Sequence, residues 1–362
     1  MATCHSGILG LMIAAVRFGL ALALVSVVAC ASGSSPTSPD DDDAPSDNPP
    51  VTGHIVTGTA VNVLTDGAAA SIGFATDGVA LGRSAADGTF RVGFSASGVN
   101  RITMSGTGFV ERQTAVQAPS ISLRLSLIPS SFDLNSFNQM FRHTQGADGA
   151  ILTRWTSAPA LLIERRVLQF TDVGAPAYTA LEATLTDAEV ASIRTDMTDG
   201  YALLTAGRLG TFTSVRTRTT GEDDPVSIAE AGTVVVTRQA GLTSATGFWG
   251  YARWSTTADG VVTRGFIILD RDFETSTSPL LTQYRRSLRM HELGHALGCQ
   301  HVSGIVSVMN SNARTEPNTF DQQAARIAML RPAGNRAPDV DPTGHTATTA
   351  RAAAARTWHG AH

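Results

Sequence analysis

Apolar and polar residues change their rhythm several times along this chain. Residues 18–29 form an apolar run behind Arg17, and residues 31–50 carry mainly Ser, Pro and Asp with no apolar rhythm. From Val51 the spacing becomes two. Phe90, Val92 and Phe94 alternate with Thr89, Arg91 and Gly93, and Ile121, Leu123, Leu125 and Leu127 alternate with Ser122, Arg124 and Ser126. Successive side chains of a strand point to opposite faces, so each run predicts a half-buried strand. Turn signals at Asp66-Gly67, Asp77-Gly78 and Asp87-Gly88 recur at the spacing of short consecutive strands. About seven such strands over residues 51–128 predict an all-β sandwich.

Beyond residue 131 helical and strand rhythms mix, which predicts an α+β class for residues 131–331. Phe137, Met140 and Phe141 share one helical face. Thr186 and Glu189 form a capping box ahead of Val190, Ile193, Met197, Tyr201 and Leu204, which step by three or four. Strands are predicted at 161–167, 211–218, 233–238, 248–255 and 262–269. Ser278 and Pro279 open a long helix that runs to Leu297 and stops at Gly298. A last helix starts at Thr319, capped with Gln322. Residues 332–362 are rich in Ala, Arg and Pro without periodicity and are expected to be a disordered tail.

Length and composition narrow the classes. The 362 residues allow about two domains plus tails. Hydrophobic residues at 43% and charged residues at 16% suit a globular protein. A net charge of −4 gives no electrostatic footprint for nucleic acid. Three Cys cannot build a disulfide framework. The 18–29 run is too short to span a bilayer alone and reads as the core of an export signal over residues 1–30, with Met1 or Met12 as its start; a signal-anchor helix is the alternative. Its ending, Val27-Val28-Ala29-Cys30, resembles a bacterial lipobox. That resemblance implies acylation of Cys30 and an exported lipoprotein anchored at a bacterial membrane. Residues 31–50 are then a solvated, disordered linker.

The chemistry concentrates in His291-Glu292-Leu293-Gly294-His295-Ala296-Leu297-Gly298-Cys299-Gln300-His301. Histidines at i and i+4 lie one turn apart on the same helix face and can grip one ion. Glu292 adjoins the first and can reach a water on that ion. Continuing the helix would point residue 301 elsewhere; Gly298 works as a hinge that lets the chain reverse and bring His301 back. Three neutral imidazoles with one open position make a catalytic rather than a structural zinc site. Cys299 reads as a buried thiol. Asp270 and Asp272 are the residues from which a Ca2+ site would be built, although two acidic residues at a strand end are more often solvated.

This stretch, followed by Ser307-Val308-Met309-Asn310, resembles the metzincin zinc peptidases, and among them the matrixins. The resemblance covers residues 152–330. It implies a catalytic domain of a five-stranded mixed sheet, three helices and a Met-turn. It implies Zn2+ held by His291, His295 and His301, Glu292 as general base, and Met309 as an apolar floor beneath the metal. Ala86-Asp87-Gly88-Thr89-Phe90-Arg91-Val92, with Gly108-Phe109-Val110, resembles the carboxypeptidase-regulatory-like domain of secreted bacterial proteins.

The expected activity is therefore zinc-dependent endopeptidase cleavage of proteins or peptides outside the cytoplasm. The substrate is expected to lie extended along an edge strand, 262–269, pairing by backbone, with loop 311–318 walling the pocket. The rival is a surface-anchored binding protein in which the sandwich does the work and the peptidase fold is a scaffold. An intact Glu292 argues against that rival.

Overall fold

The structure is a computed structural model that describes residues 51–143, 150–171, 178–228, 230–344 and 356–361, the last stretch as backbone only. The expected signal segment over 1–30, with Cys30, and the expected linker over 31–50 lie outside the described residues. No helix among the described residues is long and apolar enough to cross a membrane. The chain has a mixed α+β architecture.

The period-two segment folds into seven strands: β1 (His54–Asn62), β2 (Gly73–Thr76), β3 (Val79–Arg83), β4 (Thr89–Phe94), β5 (Gly98–Ser105), β6 (Arg112–Ala118) and β7 (Ser120–Leu127). Asp77 and Gly78 both take positive φ, 47° and 80°, which is the turn type that lets β2 and β3 twist together as a hairpin. The strands form two sheets, ordered β4-β1-β7 and β3-β2-β5-β6. Phe90, Val92 and Phe94 of one sheet share a core with Phe74, Ile102 and Met104 of the other. The stripe expected along β7 is only half realised: Leu125 and Leu127 are buried, but Ile121 is 82% exposed. Ser122, at φ 58°, interrupts the pleat between them, so alternation does not carry through.

The second region contains α1 (Leu134–Arg142), β8 (Ala160–Leu168), β9 (Tyr178–Thr184), α2 (Asp187–Leu204), β10 (Val215–Arg218), β11 (Pro225–Val226), β12 (Thr233–Gln239), α3 (Leu242–Thr246), β13 (Gly250–Thr256) and β14 (Val262–Asp270). It continues with α4 (Arg271–Thr275), α5 (Pro279–Thr282), α6 (Arg285–Ala296), α7 (Thr319–Met329) and β15 (Arg356–Ala361). Its sheet runs β11-β9-β8-β12-β14-β13-β15, with β10 also on β8. Parallel pairing joins β10, β8, β12 and β14, while β13 is antiparallel to β14.

The sheet has eight strands rather than the expected five: β9, β11 and β15 extend its two ends. Seven helical segments are present among the described residues rather than three, several of them a single turn. Strand 262–269 is not an edge. As β14 it lies between β12 and β13, and the outer strands of the expected five are β10 and β13. Its near-continuous burial is what an interior strand requires.

The α2 cap forms as expected: the Thr186 N–H donates to Glu189 Oε2 at 2.7 Å and the Glu189 N–H donates to Thr186 Oγ1 at 3.3 Å. The predicted stripe from Val190 to Leu204 is buried. The expected helix 278–297 is broken. Pro279–Thr282 is a separate turn, and α6 begins at Arg285, after Tyr284 stacks on Trp249 with ring centroids 6.4 Å apart. The last helix is capped by Asn318 and Asp321, one residue ahead of the expected Thr319 and Gln322.

The expectation of a disordered tail over 332–362 fails at residues 332–344 and at β15. Residues 332–344 pack against the rest of the fold, with Asn335, Asp339 and Asp341 buried. Arg331 grips Asp339 with Nε–Oδ1 and Nη2–Oδ2 distances of 2.7 Å each. Arg142 of α1 donates to the carbonyl of Pro338 at 2.9 Å. Arg112 of β6 donates to Asp341 at 2.9 Å, and Arg331 reaches Ser126 of β7 at 2.8 Å. Burial alone would raise the Asp339 carboxyl, but the surrounding guanidinium groups hold it below the ordinary range. A segment with no apolar rhythm is thus ordered by paired charge, which a hydrophobic pattern does not report. It ties the two-sheet region to the helical region.

Candidate metal centre

Helix α6 is buried on all sides from Ser287 to Ala296. It packs against α2 on one side and against β13 and β14 on another. His291 and His295 project from it one turn apart, as the i, i+4 spacing dictates. The helix ends at Leu297, and Gly298 turns the chain at φ 103°. A Cβ there would stand 3.0 Å from Val262 Cγ2 and 3.2 Å from Thr153 Oγ1, so both backbone conformation and space demand glycine. Two donors or partners fix the turn from outside: Thr153 Oγ1 donates to the Gly298 carbonyl at 2.8 Å, and His143 Nε2 lies 2.9 Å from the same oxygen. The Gln300 N–H donates to Met140 O at 2.8 Å.

The hinge returns His301 to the other two rings. His295 Nε2 lies 3.1 Å from His291 Nε2 and 3.2 Å from His301 Nε2, and the ligand atoms of all three fall within 4.8 Å of one another. The Nδ1 edges face backbone carbonyls: His291 Nδ1 is 2.6 Å from Val308 O, and His295 Nδ1 is 2.8 Å from Cys299 O. A carbonyl can only accept, so Nδ1 carries the proton and Nε2 presents a lone pair. Lone pairs converging at about 3 Å suit a cation between them. Tetrahedral ligation at ~2.0–2.1 Å sets nitrogens ~3.3 Å apart, near what is seen. Burial lowers the proton affinity of His301, which keeps it in the ligating form. Trp254 of β13 lies flat against His295, with centroids 5.7 Å apart and planes 5° apart.

Glu292 sits on the same helix with no solvent exposure. Neither carboxylate oxygen has a hydrogen-bond partner among the described residues. Desolvation pushes its carboxyl well above the ordinary glutamate value. Gly250, the first residue of β13, makes room for it: a Cβ there would stand 3.0 Å from Glu292 Oε1. A buried carboxylate without a partner is costly and implies a group beside it that the protein alone does not supply. The donor set and this orphaned carboxylate therefore fit a metal ion with a polar ligand next to Glu292.

Met309 is buried beneath the helix, and its sulfur packs where a side chain at Gly294 would have to go. The tight turn around it is held by Asp321, a residue the sequence reading passed over as a helix position. Asp321 accepts from the Val308 N–H at 3.0 Å and from the Asn318 N–H at 2.9 Å. Since Val308 O faces His291 Nδ1, Asp321 fixes the peptide that orients a ligand. Gly250, Trp254 and His143 were missed for the same reason: their roles arise from distant pairings, with no local spacing to mark them.

Cys299 is a buried thiol whose pKa burial raises, and it lies outside the three-histidine group. Asp270 does not converge with Asp272 on a site. Its oxygens accept from the Phe273 N–H at 2.7 Å and the Thr243 N–H at 2.9 Å, while Asp272 pairs with Arg271 at the surface. Among the described residues the three histidines are the one group placed to hold a metal ion. No family model and no curated protein sequence matches this chain.

Proposed function

We propose that this protein is a zinc-dependent endopeptidase of the matrixin-like metzincin type, acting on proteins or peptides outside the cytoplasm. The observation that carries the reading is the convergence of His291, His295 and His301 beside the unpartnered, buried carboxylate of Glu292. The three histidines would hold the zinc ion; when bound, zinc lowers the pKa of water toward ~7 and stabilises developing oxyanion charge.

Glu292 takes the proton of the attacking water on one carboxylate oxygen and later delivers it to the leaving amine nitrogen. Gly250 leaves the space for that oxygen to work. Asp321, through Val308, keeps the His291 ring aimed, and Trp254 does the same for His295 by stacking on it. Strands β10, β8, β12, β14 and β13 are the sheet of the catalytic domain, Ser307 to Asn310 its Met-turn, and β1–β7 a β-sandwich ahead of it. An extended substrate segment would pair with the outer edge of β13, since β14 is interior.

Lipid anchoring through Cys30 belongs to the same reading and is tested by labelling with a radioactive fatty acid, which a Cys30→Ser chain should lose. The activity is tested by metal analysis and peptide-library cleavage on the full chain, wild type against Glu292→Ala. One zinc per chain in both, with turnover only in the wild type, is the expected result. Equal cleavage by the two, or wild-type protein that binds no zinc, would defeat the reading.

A further inference from the structure

Strand β13 borders the metal centre along its length. Its first residue, Gly250, meets Glu292, and Trp254 four residues on meets His295. One edge of β13 is paired to β14. The other edge is the backbone ladder that an extended peptide would join to lie beside the metal. That edge is taken within the chain itself. β15 pairs antiparallel with β13 over six positions, from Tyr251↔Ala361 through Trp254↔Trp358 to Thr256↔Arg356.

We infer that the segment Arg356–Ala361 is a built-in competitor for substrate, a strand that docks on β13 in the place a peptide would take. The inference rests on the endopeptidase reading for its consequence, but the docking itself does not. The pairing uses backbone groups, as peptide recognition by strand addition does, so the segment and a substrate compete for the same N–H and C=O groups. In the sequence only eleven residues, 345–355, separate this segment from the packed stretch ending at 344. A short tether gives an effective concentration of ~1 mM. If the free hexapeptide binds with a Kd of ~0.1 mM, the edge is occupied about nine-tenths of the time and its release raises kcat/KM about tenfold. A substrate must displace the strand, so long or strongly β-forming peptides should be favoured over short ones.

The test compares three chains: the full chain, a chain ended at residue 344, and a full chain carrying Thr357→Pro and His359→Pro. Proline removes the N–H and disfavours a strand, so the third chain keeps the tail while breaking its pairing. A labelled peptide, Arg-Thr-Trp-His-Gly-Ala, is added to each in the Glu292→Ala background and followed by fluorescence anisotropy. Cleavage of a library-derived peptide is measured with Glu292 intact. The expected result is that the peptide binds the shortened and proline chains and is excluded from the full chain. Both altered chains should then show kcat/KM about tenfold above the full chain, and the free peptide should inhibit the shortened chain by raising KM at unchanged kcat. Equal kcat/KM in all three chains, with no peptide binding to the altered ones, would overturn the inference while leaving the peptidase reading intact. Peptide binding to the altered chains with no cleavage by any chain would keep the docked strand and remove the peptidase. Should the shortened chain misfold, the proline chain decides by the same two measurements.

Discussion

Two buried polar clusters stand in this fold, and they are solved in opposite ways. At the junction of the two regions, Arg112, Arg142 and Arg331 enclose Asp339, Asp341 and Asn335, and each carboxylate finds a guanidinium. In the candidate metal centre, three imidazole nitrogens face each other and Glu292 has no hydrogen-bond partner among the described residues. The first cluster shows that this chain can pair charge in its interior. The second is a group of side chains that could hold a metal ion. Buried charge paired from within fixes architecture, and converging buried polar groups left unpaired point to a candidate site.

The sharpest way to break that contrast is at Glu292. Glu292→Gln keeps the volume and removes the base, so turnover should fall by ~10³-fold or more while bound zinc stays at one per chain. His301→Ala should lose both metal and turnover, because two ligands from one helical turn leave the ion half held. Inductively coupled plasma analysis beside a cleavage assay separates the two variants.

Asp339→Ala probes the satisfied cluster. It strands Arg331 and part of Arg142 without a counter-charge at sites with no exposure, which should cost ~3–5 kcal/mol in urea unfolding and leave metal content unchanged at low denaturant. The same logic predicts that a chain ended at 331, the boundary read from the sequence, is much less stable than one ended at 344.

Gly298→Ala should cost ~1–2 kcal/mol, through a left-handed backbone and close contacts with Val262 and Thr153, and should weaken metal binding because it displaces His301. Asp321→Asn should be milder in stability but lower metal affinity ~10-fold or more, since it loosens the peptide behind His291.

The smallest effect lies at the α2 cap. Burial alone would raise the Glu189 carboxyl, but hydrogen bonds from Thr186 and the Arg238 guanidinium outweigh it and hold it at about 2. A depressed carboxyl stabilises the fold above its unfolded value of ~4.3, and that contribution fades as pH falls from there toward about 2. Glu189→Gln should therefore lose less stability than wild type across that acid window in denaturation curves taken at each pH.

Much of the site was legible locally. The His291–His295 pair follows from helical spacing, the return of His301 from a glycine that must turn, and the α2 helix from its capping box and apolar stripe. Strand alternation likewise marked β4. What escaped was whatever depends on a partner far away in the chain. Residue 262–269 looked like a plausible edge, because an apolar run says a strand is buried but not which neighbours it has. Residues 332–344 looked disordered, because ion pairs leave no periodic trace. Ile121 looked buried, because one positive φ at Ser122 shifts a face without changing the composition.

Spacing along the chain was enough to assemble the three histidines and to place Glu292 beside them, since three of those four side chains share a single helix, whose geometry is set by hydrogen bonds four residues apart. The tertiary structure alone decided the rest: that Gly250 clears a space for Glu292, that Asp321 steadies the ligand loop, and that β13 carries β15 on its outer edge. Those pairings join segments that no local spacing links, and the strand pairings depend on the packing of the whole sheet.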